Sequence, residues 1–168
     1  MSFSIEELQQ KIQRHAESRT HLRIRGCGSK DFYGGESRGD VLDMTAYNGI
    51  IEYEPKELVV TVRAGTRLAE LEKILAASGQ MLPFEPPQFS GRGTIGGAVA
   101  AGLSGPRRAY AGSVRDFLLG TRIINGKGED LHFGGKVIKN VAGYDVSRLM
   151  CGAMGTLGVL LDLSFKIL

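Results

Sequence analysis

Gly91-Arg92-Gly93-Thr94-Ile95-Gly96-Gly97-Ala98-Val99-Ala100-Ala101-Gly102-Leu103-Ser104-Gly105 packs glycine and other small residues so densely that the main chain must make the close contacts there. Ordering a glycine costs roughly 0.5–1 kcal/mol more than ordering an alanine in a regular element. A chain that accepts this cost repeatedly needs positive φ angles or close approach of backbone to a ligand. The best-matched ligand is an anion, because N–H groups of a glycine turn or helix start can converge on it.

Gly91-x-Gly93-x-x-Gly96 also spells the fingerprint of the doubly wound dinucleotide fold, but the surroundings are wrong for it. That fingerprint needs a buried strand before it and an uninterrupted helix after it. Here Pro86 and Pro87 precede it, and Gly102, Gly105 and Pro106 cut off any helix that follows. Asp116 stands before an expected strand, whereas the ribose-binding acid of that fold ends one. A Walker A motif is absent.

Outward from this stretch the chain reads as one domain over residues 1–168. Of the 168 residues 24 are glycine, about twice the usual share of roughly 7%. Hydrophobic residues at 42% and charged residues at 23% give a foldable, globular mixture. The net charge of +3 suits a phosphate-bearing ligand, yet Lys and Arg are scattered, which argues against a nucleic-acid partner. Cys27 and Cys151 form no C-x-x-C pair, so neither a disulfide framework nor a metal site is expected. With no basic, apolar leader and no apolar run of roughly 20 residues, the expectation is a cytoplasmic protein without direct membrane insertion.

Ser4-Ile5-Glu6-Glu7 fits a capping box and predicts a helix to about Ala16. Residues 22–25, 41–44, 50–54, 58–63, 117–125, 129–133 and 159–167 read as strands. The second pair forms a hairpin across Pro55-Lys56, and another closes over Asn125-Gly126-Lys127-Gly128. Thr66 is placed to cap a helix that carries Leu68, Leu71, Ile74 and Leu75 and closes at Gly79, and residues 146–150 suggest a short helix. Short strands with few helices and no regular βαβα alternation argue α+β.

A second glycine loop, Arg25-Gly26-Cys27-Gly28-Ser29-Lys30, leaves a strand and carries a hydroxyl and two cations. Those groups suit a pyrophosphate; a solvated surface loop is the alternative. A third loop, Gly155-Thr156-Leu157-Gly158, favours an extended dinucleotide, which needs several such loops.

The order of Arg25–Lys30, Val62-Arg63-Ala64-Gly65, Gly93-Thr94-Ile95-Gly96-Gly97 and Gly155–Gly158 resembles the FAD-binding domain of the vanillyl-alcohol oxidase (PCMH) type. The likeness runs over essentially the whole chain. Ser104-Gly105-Pro106-Arg107-Arg108, Gly112-Ser113-Val114-Arg115-Asp116 and Lys139-Asn140-Val141-Ala142-Gly143-Tyr144-Asp145 are similar to the FAD-binding subunits of bacterial glycolate oxidases.

The resemblance implies two small α/β subdomains and non-covalent FAD, because the first loop offers Ser29 and Lys30 where some relatives carry a histidine that bonds the flavin. His15, His21 and His132 all lie outside the glycine loops. Arg25, Gly26, Cys27, Gly28, Ser29, Lys30 and Gly34 would wrap the pyrophosphate. Thr94, Gly96 and Gly97 would line the flavin and phosphate side, with Ile95 in the core. Gly102 and Gly105 would let backbone pass the cofactor; Gly112, Ser113 and Asp116 would form the next contact, with Asp116 holding the loop. Gly158, Val159 and Leu160 would meet the adenosine end. Arg107, Arg108 and Arg115 would neutralise phosphate or form a solvated docking face. On this reading Gly96→Val abolishes flavin binding.

The family also carries a cap domain, expected to lie outside this chain as part of a longer subunit, so that residues 1–168 alone would be inactive. The implied substrate is a 2-hydroxy acid, glycolate above others. The implied partners are a second flavin subunit and an iron–sulfur subunit, through which any membrane association would be made. A stand-alone D-lactate-type dehydrogenase and a non-catalytic assembly subunit remain as alternatives. No residue is nominated as catalytic.

Overall fold

The computed structural model describes residues 4–36, 38–135 and 143–168. Helix α1 (Ile5–Glu17) starts where the capping box places it: Ser4 Oγ accepts from the Glu7 amide at 3.2 Å. Its Leu8 and Ile12, one turn apart, are buried against Leu42, Met44 and Tyr47 and against Ile124, Val159 and Leu161. Beside this buried row the half-buried Gln9 Nε2 donates to the Gly128 carbonyl at 2.7 Å.

Two sheets follow from the strand pairings. The first is a parallel pair of β1 (Leu22–Arg25) and β2 (Asp40–Asp43). Parallel neighbours need a long crossover between them; here the crossover after β1 carries the Gly26–Lys30 glycine loop, and its described residues form no helix. The second sheet has the order β3-β4-β7-β5-β6, antiparallel throughout, from β3 (Ile50–Glu54), β4 (Val59–Arg63), β5 (Leu118–Ile124), β6 (Asp130–Gly134) and β7 (Val159–Lys166). Both expected hairpins are present. Asn125 Oδ1 accepts from the Lys127 and Glu129 amides at 2.9 and 3.0 Å and fixes the β5–β6 turn.

One face of this sheet carries the main core. Phe84 is fully buried between Phe165 and Phe117, with ring centroids 5.7 and 6.3 Å away. Helix α2 (Leu68–Ala76) adds Leu68, Leu71 and Leu75, all fully buried, while Ile74 is 40% exposed and leaves the expected apolar row. Thr66 does not cap this helix. Its hydroxyl accepts from the Gly49 amide at 2.8 Å and donates to the Gly49 carbonyl at 3.2 Å. The helix start is served instead by the glycine-rich stretch: the Leu68 amide donates to the Gly93 carbonyl at 2.9 Å.

That stretch yields helix α3 (Ile95–Ala101), for which the sequence pattern supplies no regular element. Thr94 is its N-cap, accepting from the Gly97 amide at 3.2 Å, and Gly102 ends it in the left-handed region at φ 65°. The residues before it, Phe89–Gly91, form a 3-10 turn and not a strand, which removes the doubly wound fingerprint. Short helices α4 (Arg108–Ala111), α5 (Val114–Phe117) and α6 (Val146–Leu149) complete the α+β arrangement, α6 packing on β5 and β6.

Candidate functional site

Three segments far apart in sequence meet at the ends of β1 and α3. They are the crossover after β1, the Thr94–Ala101 segment and the turn at residues 154–156, and they enclose a cavity of about 400 Å³. Arg25, Gly26, Cys27, Gly28, Ser29, Lys30, Gly34, Thr94 and Gly97 all line it. Thr94 is the hinge of this arrangement. A Cβ on Gly26 would sit 2.5 Å from Thr94 Oγ1, and one on Gly97 would sit 3.1 Å from it. Both glycines therefore pack around one hydroxyl and leave backbone facing the cavity.

The cavity is cationic on one side and apolar on the other. β1 alternates, so Arg23 and Arg25 share a face, and both line the cavity with Lys30; Asp31 is the single carboxylate among the lining residues. Asp31 Oδ2 accepts from Arg25 Nη2 at 2.5 Å and lies 3.2 Å from Arg23 Nη2. Hydrogen bonding from Arg25 holds the Asp31 carboxyl below its ordinary range, and Asp31 in turn pushes the Arg25 guanidinium up. The Arg25 guanidinium lies over Gly28, whose φ of 70° and lack of a side chain allow it to do so. Lys30 differs. Its Nζ is sealed from solvent and has no hydrogen-bond partner among the described residues, and burial lowers its pKa. Leu22, Ile24, Ala100, Ala101 and Met154 supply the apolar wall.

These features fit a phosphate-bearing dinucleotide. Cationic residues stand beside side-chain-free backbone that lets an anion approach, and the apolar wall suits a ring. The lining residues include no histidine, and their one carboxylate is engaged by two arginines.

The other expected residues are placed elsewhere. Gly96 is turned onto the chain: its amide donates to the Ala64 carbonyl at 2.8 Å, and a Cβ would lie 2.7 Å from that of Ala64. A Gly96→Val change thus strikes the fold before it reaches any ligand. Ile95 is fully buried in the core. Gly102 abuts Gly152, and Gly105 lies under the Glu85 carbonyl. Asp116 holds the Gly112–Ser113 loop, its Oδ2 accepting from the Ser113 amide at 2.7 Å and the hydroxyl at 2.8 Å. A Cβ on Gly158 would lie 2.7 Å from the Ile124 carbonyl oxygen, and Val159 and Leu160 are buried in β7. Arg107, Arg108 and Arg115 are exposed and do not line the cavity. Lys139–Ala142 lie outside the described residues.

Arg23, Asp31 and Met154 are cavity residues that the motifs do not name. The alternation of β1 carries a signal for Arg23; no local pattern announces Met154, which reaches the site through a left-handed backbone at φ 52°. Among the described residues no helix is long and apolar enough to cross a membrane.

Comparison with known proteins agrees with this reading. The family described as FAD binding domain matches residues 3–134. Glycolate oxidase subunit GlcE of Escherichia coli (strain K12) is 52% identical over 161 residues, covering 96% of this chain and 46% of that protein. Glycolate oxidase subunit GlcD of Bacillus subtilis (strain 168) is 31% identical over 155 residues, 90% of this chain and 33% of that protein. D-2-hydroxyglutarate dehydrogenase of Xanthomonas citri pv. viticola is 28% identical over 169 residues, 98% of this chain and 35% of that protein. The chain spans less than half the length of these relatives.

Proposed function

The chain belongs to the FAD-binding domain family of FAD-dependent oxidoreductases, and from that premise we propose that it is the flavin-binding module of a 2-hydroxy acid oxidoreductase of the glycolate oxidase type. The observation that carries the site assignment is the meeting of the Arg23–Arg25 guanidinium pair, Lys30 and bare glycine backbone around one cavity.

Arg25, Gly26, Cys27, Gly28, Ser29, Lys30 and Gly34 hold the diphosphate, and Thr94 and Gly97 shape the floor beneath it. Gly96 and Gly102 act indirectly, by packing and ending the helix that presents Thr94 and Gly97, while Gly105, Gly112, Ser113, Asp116, Gly158, Val159 and Leu160 stand outside the cavity lining. Bound FAD supplies the hydride acceptor for oxidation of the hydroxyl-bearing carbon of the substrate. The chain's own residues bind and orient the cofactor: backbone N–H groups and Ser29 donate to phosphate oxygens, the arginines and Lys30 offset charge, and the apolar wall excludes water from one side. No residue here bonds the flavin covalently.

Glycolate is the favoured substrate, since two of the relatives above are named glycolate oxidase subunits. Assembly with a second, related flavin subunit and an iron–sulfur subunit, and any membrane association made through them, belongs to the same proposal.

The test is the visible absorption spectrum of the purified chain after addition of FAD and removal of the excess, followed by acid precipitation. Retained flavin that is released by acid supports a non-covalent FAD module. A folded chain that retains none refutes the reading.

A further inference from the structure

Met154 ties two walls of the cavity together. Its amide donates to the Ala100 carbonyl at 2.9 Å, and the Gly152 amide donates to the Val99 carbonyl at 2.9 Å, so the turn that carries it is fixed to the end of α3. The side chain runs the other way, to the crossover after β1. A Cβ on Gly34 would lie 2.6 Å from the Met154 Cε, so the methyl rests on bare backbone there. Gly34 and Met154 both line the cavity. The backbone at Met154 is left-handed, at φ 52°, a conformation that glycine adopts freely and other residues adopt under strain. The side chain held at this strained position is the one that bridges α3 to the crossover.

That bridge is a thioether within reach of solvent. Met154 is 43% exposed, whereas Met44 and Met150 are 4% and 2% exposed. The half-buried Met81 sulfur already accepts from Arg107 Nη1 at 2.9 Å. Oxidation of a methionine replaces a flexible apolar side chain by a polar one, and exposed sulfurs react first. Resting on the FAD reading above, we propose that Met154 is a peroxide-sensitive clip on the cofactor cavity. Hydrogen peroxide transfers one oxygen to Sδ: the S–O bond forms as the O–O bond breaks, the sulfur gives up two electrons, and the rest of the peroxide leaves as water. The sulfoxide oxygen keeps its hydration and does not stay against Gly34 and the apolar wall of Leu22, Ile24, Ala100 and Ala101. The crossover is released from α3, and the cavity holds FAD less tightly until the sulfoxide is reduced.

The test treats the folded, ligand-free chain with hydrogen peroxide, then with dithiothreitol to reverse thiol oxidation at Cys27, which also lines the cavity. Peptide mass mapping should find the added oxygen on Met154 before Met44, Met81 and Met150. Limited chymotrypsin digestion should then cut faster at the exposed Phe32 and Tyr33, next to Gly34. Fluorescence titration should show FAD binding weakened by about tenfold, the loss expected for a polar group set against an apolar wall without a partner, and methionine sulfoxide reductase should restore it. Met154→Leu, whatever its starting affinity, should lose no more on the same treatment, and Met154→Gln should bind weakly without any. Oxidation of Met154 no faster than of Met44 and Met150, an equal loss in Met154→Leu, or unchanged cleavage after complete sulfoxide formation would each overturn the proposal. If the untreated folded chain binds no FAD, the cofactor reading fails, while the order of oxidation and the cleavage rate still decide on the clip.

Discussion

Replacing Gly96 by alanine puts a methyl carbon 2.7 Å from the Ala64 Cβ and 2.8 Å from the Ala64 carbonyl oxygen. Neither neighbour is a flexible side-chain end. The carbonyl is also held by the Gly96 amide at 2.8 Å, so α3 cannot retreat from β4 without stretching that bond. Overpacking of this kind costs about 1–3 kcal/mol, and a weakened backbone hydrogen bond adds about 0.5–1.5 kcal/mol. The better helix propensity of alanine returns about 0.8–1 kcal/mol. The net expectation is a loss of about 2 kcal/mol, or a fall of roughly 4–8 °C in melting temperature for a domain of this size.

Gly97→Ala is the matched control. It gains the same propensity, and its methyl meets only Thr94 Oγ1 at 3.1 Å, so stability should change by less than about 1 kcal/mol. Because Gly97 lines the cavity, this variant should bind FAD more weakly while melting near the parent. Thermal melts of the ligand-free chains and FAD titrations separate the two. A Gly96→Ala chain that melts with the parent yet loses FAD refutes the packing argument and puts Gly96 at the cofactor.

Arg122→Met should cost about 2–3 kcal/mol in urea unfolding at neutral pH, below the roughly 3–5 of a fully buried pair because 24% of the side chain meets solvent. Its Nη2 lies 2.6 Å from Asp130 and its Nη1 3.4 Å from Asp162, which also accepts from the Tyr47 hydroxyl at 2.8 Å. Arg122 holds the Asp130 carboxyl below its ordinary range. That stabilisation is complete above the unfolded-state pKa of about 3.9 and is lost as pH falls through the folded-state value. The parent should therefore lose stability on acidification below about pH 4 more steeply than the variant; parallel pH profiles would refute the coupling. Phe84→Ala, at a site with no solvent exposure, should cost about 3–5 kcal/mol by denaturant midpoint, and a loss under about 1 kcal/mol would show that the aromatic cluster does not organise the core.

Local order in this chain is written locally. Ser4 caps α1, β1 begins and ends where its alternation does, and Asn125-Gly126 turns β5 into β6, because each depends on neighbours a few residues away. The class of ligand is legible for the same reason: glycine density and a Ser29-Lys30 pair after a strand declare bare backbone beside charge. What each glycine faces is not a local property. Gly96 and Gly97 are adjacent and alike in sequence, yet one is pressed on Ala64 and the other opens on the cavity, since successive residues on a helix point about 100° apart. Thr66 resembles a helix cap until Gly49 and Gly93 arrive from elsewhere in the chain. The sequence alone sets glycine backbone beside cations, the composition an anion site needs. Only the tertiary structure decides that Asp31 claims the arginines and leaves Lys30 without a hydrogen-bond partner among the described residues, because pairing of charges is settled by which groups the fold brings within hydrogen-bond reach.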